Sequence, residues 1–143
     1  MSEIIYKYSK NDAQRIIAES KVPVCQLEHD DYQVFIRHLE LCGQRPISRE
    51  TWDEIHNEGI VYFGIFINGN MVSRACIEII SQDEREIADV RTAHQYRGHG
   101  YASQLCQFLL EQILAEGKTP TIRTGSDDLP MQKVIEKLGF TSV

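Results

Sequence analysis

Gln95-Tyr96-Arg97-Gly98-His99-Gly100-Tyr101-Ala102 stands where the hydrophobic period of the chain switches from strand-like to helix-like, and its reading decides the fold. Before it, Glu86 to Thr92 alternates as a strand does; after it, Ala102, Leu105, Cys106, Leu109, Leu110 and Ile113 recur as one helical stripe that Gly117 closes. A helix start leaves backbone N–H groups without internal acceptors, and the aligned peptide dipoles make that end partly positive, so it attracts phosphate. Gly98 and Gly100 carry no Cβ to hold a pyrophosphate away, and Arg97 adds a charge. Two glycines before a helix also suit an ordinary structural cap, so context must separate the readings. A P-loop is excluded because no Gly-Lys-Ser/Thr follows, and a dinucleotide fingerprint because the third glycine is missing.

Working outward, Ile60 to Ile67 and Met71 to Ile80 are β-rich, and Asn68-Gly69 between them supplies the positive φ angles of a tight hairpin. Ser81 to Arg85 is a polar turn, which makes Glu86 to Thr92 the third strand of an antiparallel meander. Upstream, Ile4 to Tyr8 reads as a strand, and Asn11 or Asp12 caps a helix carrying Ala13, Ile16 and Ile17. Asp30 or Asp31 starts a helix with Val34, Phe35, His38, Leu39 and Leu41, and Ser48 caps another that ends at Gly59. Downstream, Pro120 to Thr124 is a short strand, and Pro130 opens a helix with Val134, Ile135 and Leu138 that stops at Gly139. The expected order is β-α-α-β-β-β-α-β-α, in one domain spanning residues 1–143.

Composition narrows the function classes. A net charge of -6 with no Lys/Arg cluster argues against nucleic acid, and an acidic surface favours a cationic substrate such as an amine. No apolar run approaches a membrane span and Met1 to Lys10 lacks a signal-peptide pattern, so a cytoplasmic protein with no membrane partner is expected. Cys25, Cys42, Cys76 and Cys106 show no metal-ligand spacing and read as reduced core thiols. His94 and His99 flank the glycine turn without a metal pattern either, so no metal is expected.

With the meander, the turn and the last helix in place, the sequence resembles the GNAT superfamily of acetyl-CoA-dependent N-acetyltransferases. Gln95, Gly98 and Gly100 match its Gln/Arg-x-x-Gly-x-Gly/Ala motif, Val90-Arg91-Thr92 and Tyr101-Ala102 flank it, and Glu136-Lys137-Leu138-Gly139-Phe140 matches the last helix. The resemblance implies an α/β fold of the α+β type, with a mostly antiparallel sheet splayed between Glu86 to Thr92 and Pro120 to Thr124 and flanked by helices. It implies acetyl-CoA as co-substrate, its phosphates at Gln95, Arg97, Gly98, His99, Gly100, Tyr101 and Ala102, and its pantetheine arm along Val90, Arg91 and Thr92.

For the chemistry, a backbone N–H near Val90 suits the charge that develops on the thioester oxygen. Glu86 is the leading general base, because period-two alternation puts it on the face of Val90; Asp89 and Glu78 are alternatives, and all three also suit plain solvated carboxylates. Ile135 stands where the family often carries a tyrosine acid, and Asp128 where many members carry asparagine. Ser126 is a substitute acid, though Ser126-Asp127-Asp128 suits a helix cap better. Trp52 and Tyr62 read as core rather than as a substrate groove, and Cys106 as a packed thiol rather than a nucleophile.

Only Thr141-Ser142-Val143 follow Gly139-Phe140, where the family commonly continues with one or two more strands. The sheet is therefore expected to lack its last strands, and the edge so exposed suggests a homodimer. A small-molecule amine is the expected acceptor; a protein N-terminus or lysine, and a non-catalytic CoA-binding sensor, are the alternatives. An acyl group other than acetyl would depend on the space near Val90.

Overall fold

Asn68 and Gly69 both take positive φ, 51° and 83°, and so close the two-residue turn that a right-twisted hairpin requires. That hairpin joins two neighbouring strands of the sheet in the computed structural model, which describes residues 2–8 and 23–143. In chain order the elements are β1 Glu3–Lys7, β2 Val24–Gln26, α1 Tyr32–Leu41, α2 Arg49–Asn57, β3 Val61–Ile67 and β4 Asn70–Ile79. They continue as β5 Glu84–Thr92, α3 Tyr101–Ala115, β6 Thr119–Gly125, α4 Leu129–Lys137 and β7 Thr141–Ser142. The expected helix around Ala13 to Ile17 lies outside the described residues.

The seven strands form one sheet in the order β2-β3-β4-β5-β6-β1-β7. All neighbours run antiparallel except β5 and β6, whose parallel connection is made by α3 as a crossover. The mixed, mostly antiparallel architecture is the one expected. Two short strands were not foreseen: β2 has three residues and β7 two, too few to show a period. The main surprise is β1, which pairs with β6 from Glu3↔Gly125 to Lys7↔Thr121 and carries β7 on its outer side. The edge of β6 expected to be bare is thus covered by the first strand.

Each face of the sheet has its own core. On one, Leu105, Leu109 and Ile113 of α3 and Ile135 of α4 pack on Ile87 and Ile122 of the sheet, all of them essentially fully buried. Burying side chains of this size stabilises by about 1.5–3 kcal/mol apiece, which fixes α3 against β4 and β5. On the other, Phe35 and Leu39 of α1 and Trp52 of α2 pack on Tyr62, Met71 and Cys76. Trp52 is 0% exposed and donates its indole N–H to the His29 carbonyl at 2.8 Å, the core role expected of it. Cys76 and Cys106 are buried thiols, whereas Cys42 is half-buried and Cys25 exposed, because β2 is an edge strand covered on one side only. The core-thiol expectation is corrected for those two.

Within α1, His38 is 1% exposed; its Nδ1 donates to the Met71 carbonyl at 2.9 Å, and the Cys42 thiol lies 3.5 Å from Nε2. Burial holds this imidazole neutral down to about pH 4 against an ordinary value of 6.5, with the nearby Arg74 charge acting the same way and the Met71 bond opposing. The unfolded chain takes up the proton below pH 6.5 and the folded chain refuses it until about 4. Stability from this group is therefore complete above pH 6.5 and falls through that window, by on the order of 3 kcal/mol. Urea unfolding at pH 7 and pH 4.5 should show His38→Asn losing less stability on acidification than the parent; parallel losses would contradict the assignment.

Candidate active site

The sheet opens between β5 and β6. β5 and β6 pair only from Glu84↔Thr119 to Ile87↔Ile122, after which β5 runs on to Thr92 and β6 to Gly125 without bonding, leaving a V-shaped gap. On its other side β5 is bulged against β4. Arg74 pairs with Arg91 and Cys76 with Ala88, so Ala75 alone faces both Asp89 and Val90. Asp89 absorbs the extra residue at φ 51°, a left-handed conformation that costs a side-chain-bearing residue roughly 1–2 kcal/mol.

Asp89 is held in that conformation by its carboxylate. Arg74 donates to it twice, from Nε at 3.1 Å and Nη2 at 2.9 Å, and the Tyr62 hydroxyl donates at 2.6 Å. The Arg74 side chain is only 4% exposed, and its Nη1 donates to Gln44 in the loop after α1 at 2.8 Å. The bulge reverses the facing of the strand: Ala88 packs with the α1–α2 core, whereas Val90 packs with the α3 core. Glu86 lies with Ala88 by alternation, so the expected sharing of a face by Glu86 and Val90 does not hold.

Val90, Arg91 and Thr92 form one wall of a cavity of about 490 Å³. Arg97, Gly98 and Gly100 from the turn, and Tyr101 and Ala102 from α3, form the second wall. Two residues grouped with them on the sequence motif do not line it: Gln95 is exposed, and His99 folds back, donating Nδ1 to the Tyr96 carbonyl at 3.1 Å and stacking on Tyr101. The third wall is α4 and its cap residue, through Asp128, Pro130, Met131 and Val134; the family resemblance pointed to Asp128, whereas the other three reach the cavity only through tertiary packing. Tyr96 and Ser103 complete the lining.

The donors in this cavity suit an anion. Gly98 and Gly100 sit at φ 83° and 80°, and an added Cβ at either would point into open space. Gly100 is the cap residue of α3, with no side chain capping that end and no acid in the first turn, so the first-turn N–H groups keep their positive potential for a ligand. Arg91 adds a buried Nε without an acceptor among the described residues. A pyrophosphate fits here on geometry and charge, and the gap beside Val90 to Thr92 presents unpaired strand backbone to an extended chain.

The three carboxylates differ sharply. Glu86 is 5% exposed, and its oxygens accept from Arg123 Nε at 3.0 and 3.1 Å and from the Thr121 hydroxyl at 3.3 Å. Asp89 is committed to Arg74 and Tyr62. Glu78, opposite Glu86 on β4, has a weak contact from the Cys76 thiol at 3.9 Å; burial first, then the charges of Glu86 and Asp89, raise its pKa above the carboxylate norm. Ile135 is fully buried in the α3–α4 core. Ser126 bonds to Ser2 at 2.7 Å, while Asp128 caps α4 by accepting from the Met131 N–H at 3.2 Å. Among the described residues no group of three or more His, Cys, Asp or Glu is placed to hold a metal.

Comparison with known proteins agrees with this architecture. A GNAT-family protein from Novosphingobium aromaticivorans superposes with a TM-score of 0.74 at 19% identity, covering 99% of this chain and 59% of that one. This chain thus spans a little over half of that relative. The ribosomal-protein-S18-alanine N-acetyltransferase of Escherichia coli superposes with a TM-score of 0.71 at 20% identity, covering 85% and 78% of the two chains. An aminoglycoside acetyltransferase from an uncultured soil metagenomic sample gives 0.71 at 12% identity, covering 82% and 87%. No curated protein matches the chain in sequence. At these identities the superpositions establish the fold, while the sequence pattern of the acetyltransferase (GNAT) family matches residues 22–140, most of the length; the chain belongs to that family.

Proposed function

We propose that this chain is an N-acetyltransferase that transfers the acetyl group of acetyl-CoA to a primary amine of a small molecule, by direct attack in a ternary complex. The observation that carries the reading is the uncapped, glycine-led start of α3 opening into the 490 Å³ cavity beside the splayed strands. Bound there, acetyl-CoA supplies an activated thioester carbonyl. Gly98, Gly100 and the first N–H groups of α3 hold its diphosphate, Arg91 and Arg97 add charge, and Val90 to Thr92 bond its amide-bearing arm. The Val90 N–H, turned by the bulge, donates to the carbonyl oxygen as charge builds on it.

Glu78 is the proposed base, in preference to Glu86 and Asp89, whose carboxylates are already occupied by Arg123 and Arg74. Its raised pKa suits taking a proton from an ammonium near neutrality. Ile135 offers no proton, so the leaving thiolate is protonated by solvent. The acidic charge balance favours an ammonium-bearing substrate, and no described helix is long and apolar enough to cross a membrane; the proposed setting is the cytoplasm.

Calorimetric titration with acetyl-CoA beside a thiol-release assay over small amines, amino acids and peptides tests the reading. Binding with amine-dependent CoA release is expected; binding without release from any acceptor would convert the protein into a CoA sensor. Gly98→Ala and Gly100→Ala should each weaken CoA binding by about tenfold, since the new methyl stands where the phosphate approaches. Unchanged affinity in both would refute the phosphate site. Glu78→Gln should lower kcat by about a hundredfold and abolish a rise in kcat/KM through a pKa above the usual carboxylate value. The rise is expected with increasing pH, because the base works only once deprotonated; a variant keeping both rate and pH profile would exclude Glu78.

A further inference from the structure

The face of the splay opposite α3 carries a charge arrangement that the transfer reaction alone does not require. Glu78, Glu86 and Thr121 form one row across β4, β5 and β6, since Glu78 pairs with Glu86 and Glu86 with Thr121. Arg123 stands two residues further along β6, on the face opposite the buried Ile122, and is the first residue past the last paired position. It therefore stands at the mouth of the gap on the acceptor side. Its Nε donates to both oxygens of Glu86, a carboxylate 5% exposed. That contact fixes the plane of the guanidinium and leaves Nη1 and Nη2 with no partner among the described residues.

Other cations nearby are spent differently. Lys7 pairs with Glu84 at 3.1 Å, Arg74 is buried against Asp89 and Gln44, and Arg85 Nη1 donates to the Ser81 and Glu84 carbonyls. The Arg123 side chain is 39% exposed, and a fork oriented through Nε presents its outer N–H pair in the geometry that receives a carboxylate bidentately. On the far side of Glu86 lies Glu78. Two strand spacings across the sheet and two residues along it, about 12 Å in all, separate their backbones, and two long side chains shorten the gap to what a compact molecule spans.

Building on the proposed acetyl transfer, we propose that the acceptor is an amine that also carries a carboxylate a few bonds away, an amino-acid-type zwitterion, with its carboxylate on Arg123 and its ammonium at Glu78. The ammonium gives one proton to Glu78 and becomes nucleophilic. As the C–N bond to the acetyl carbon forms and the C–S bond breaks, the second nitrogen proton is released and the thiolate takes up one from solvent. The products are an N-acetylated acid and free CoA thiol. A peptide N-terminus has its carboxylate tied up as an amide, and an aminoglycoside has none; neither uses the free edge of Arg123.

The test is a thiol-release assay with the intact chain on matched sets: free α-amino acids, their amides, and the corresponding amines lacking the carboxylate. The expected result is a preference of at least about tenfold in kcat/KM for the free acids, expressed in KM. Arg123→Gln should erase that preference and Arg123→Lys should restore part of it, with acetyl-CoA affinity by calorimetry reporting that each variant is folded. Turnover of all three sets at equal efficiency, a preference for amides or peptides, or a preference that survives in Arg123→Gln, overturns this inference while leaving acetyl transfer standing. Absence of turnover on every amine, with CoA binding intact, overturns the transferase reading itself.

Discussion

The ion pair between Arg74 and Asp89 holds one residue of β5 in a conformation the strand would not otherwise adopt, and the geometry of the gap follows from it. A left-handed aspartate in mid-strand is strained, yet here its carboxylate receives two guanidinium bonds and a tyrosine hydroxyl. Because the Arg74 side chain is buried while Asp89 is half-exposed, removing Asp89 leaves a buried guanidinium without its carboxylate partner. The bulge is thereby locked, and with it the turn of Val90 toward the cavity while Glu86 and Ala88 face the other way. Gln44 extends the same network to the loop between α1 and α2, so those helices and the strand beside the cavity share one polar anchor.

What was legible in the sequence was local. Asn68-Gly69 dictated a hairpin because two successive positive φ angles admit few residue types, and the α3 stripe and its glycine turn followed from period and spacing. The wall of the cavity formed by Arg97, Gly98, Gly100, Tyr101 and Ala102 was legible for the same reason, though Gln95 and His99 stand outside it. Of the α4 wall only Asp128 was, through the family resemblance, because Pro130, Met131 and Val134 meet the cavity only through the packing of α4 beside α3. Nor was the bulge: alternation from Glu86 to Val90 is a fair inference for a regular strand, and one inserted residue inverts it. The clue, Asp89 among strand formers, acquires meaning only when Arg74 and Tyr62 are seen to converge on it.

Long-range pairing explains the other discrepancy. The open outer edge expected of β6 is not found, because that edge is paired. The edge is filled from the opposite end of the sequence, by β1, with Tyr6 joining the α3 core and Lys7 reaching Glu84 across β6. β7, Thr141–Ser142, pairs on the far side of β1. Strand β6 is thus braced on its outer side while its inner side stays free past Ile122, the arrangement that keeps the gap open.

The central claim, that the Arg74–Asp89 clamp aims the backbone at Val90, is tested most directly by comparing kcat with acetyl-CoA affinity in Asp89→Ala. The account predicts a fall in kcat of about a hundredfold, the cost of a misplaced oxyanion donor, with CoA affinity little changed because the glycine turn is intact. Unaltered kcat in the folded variant would contradict it.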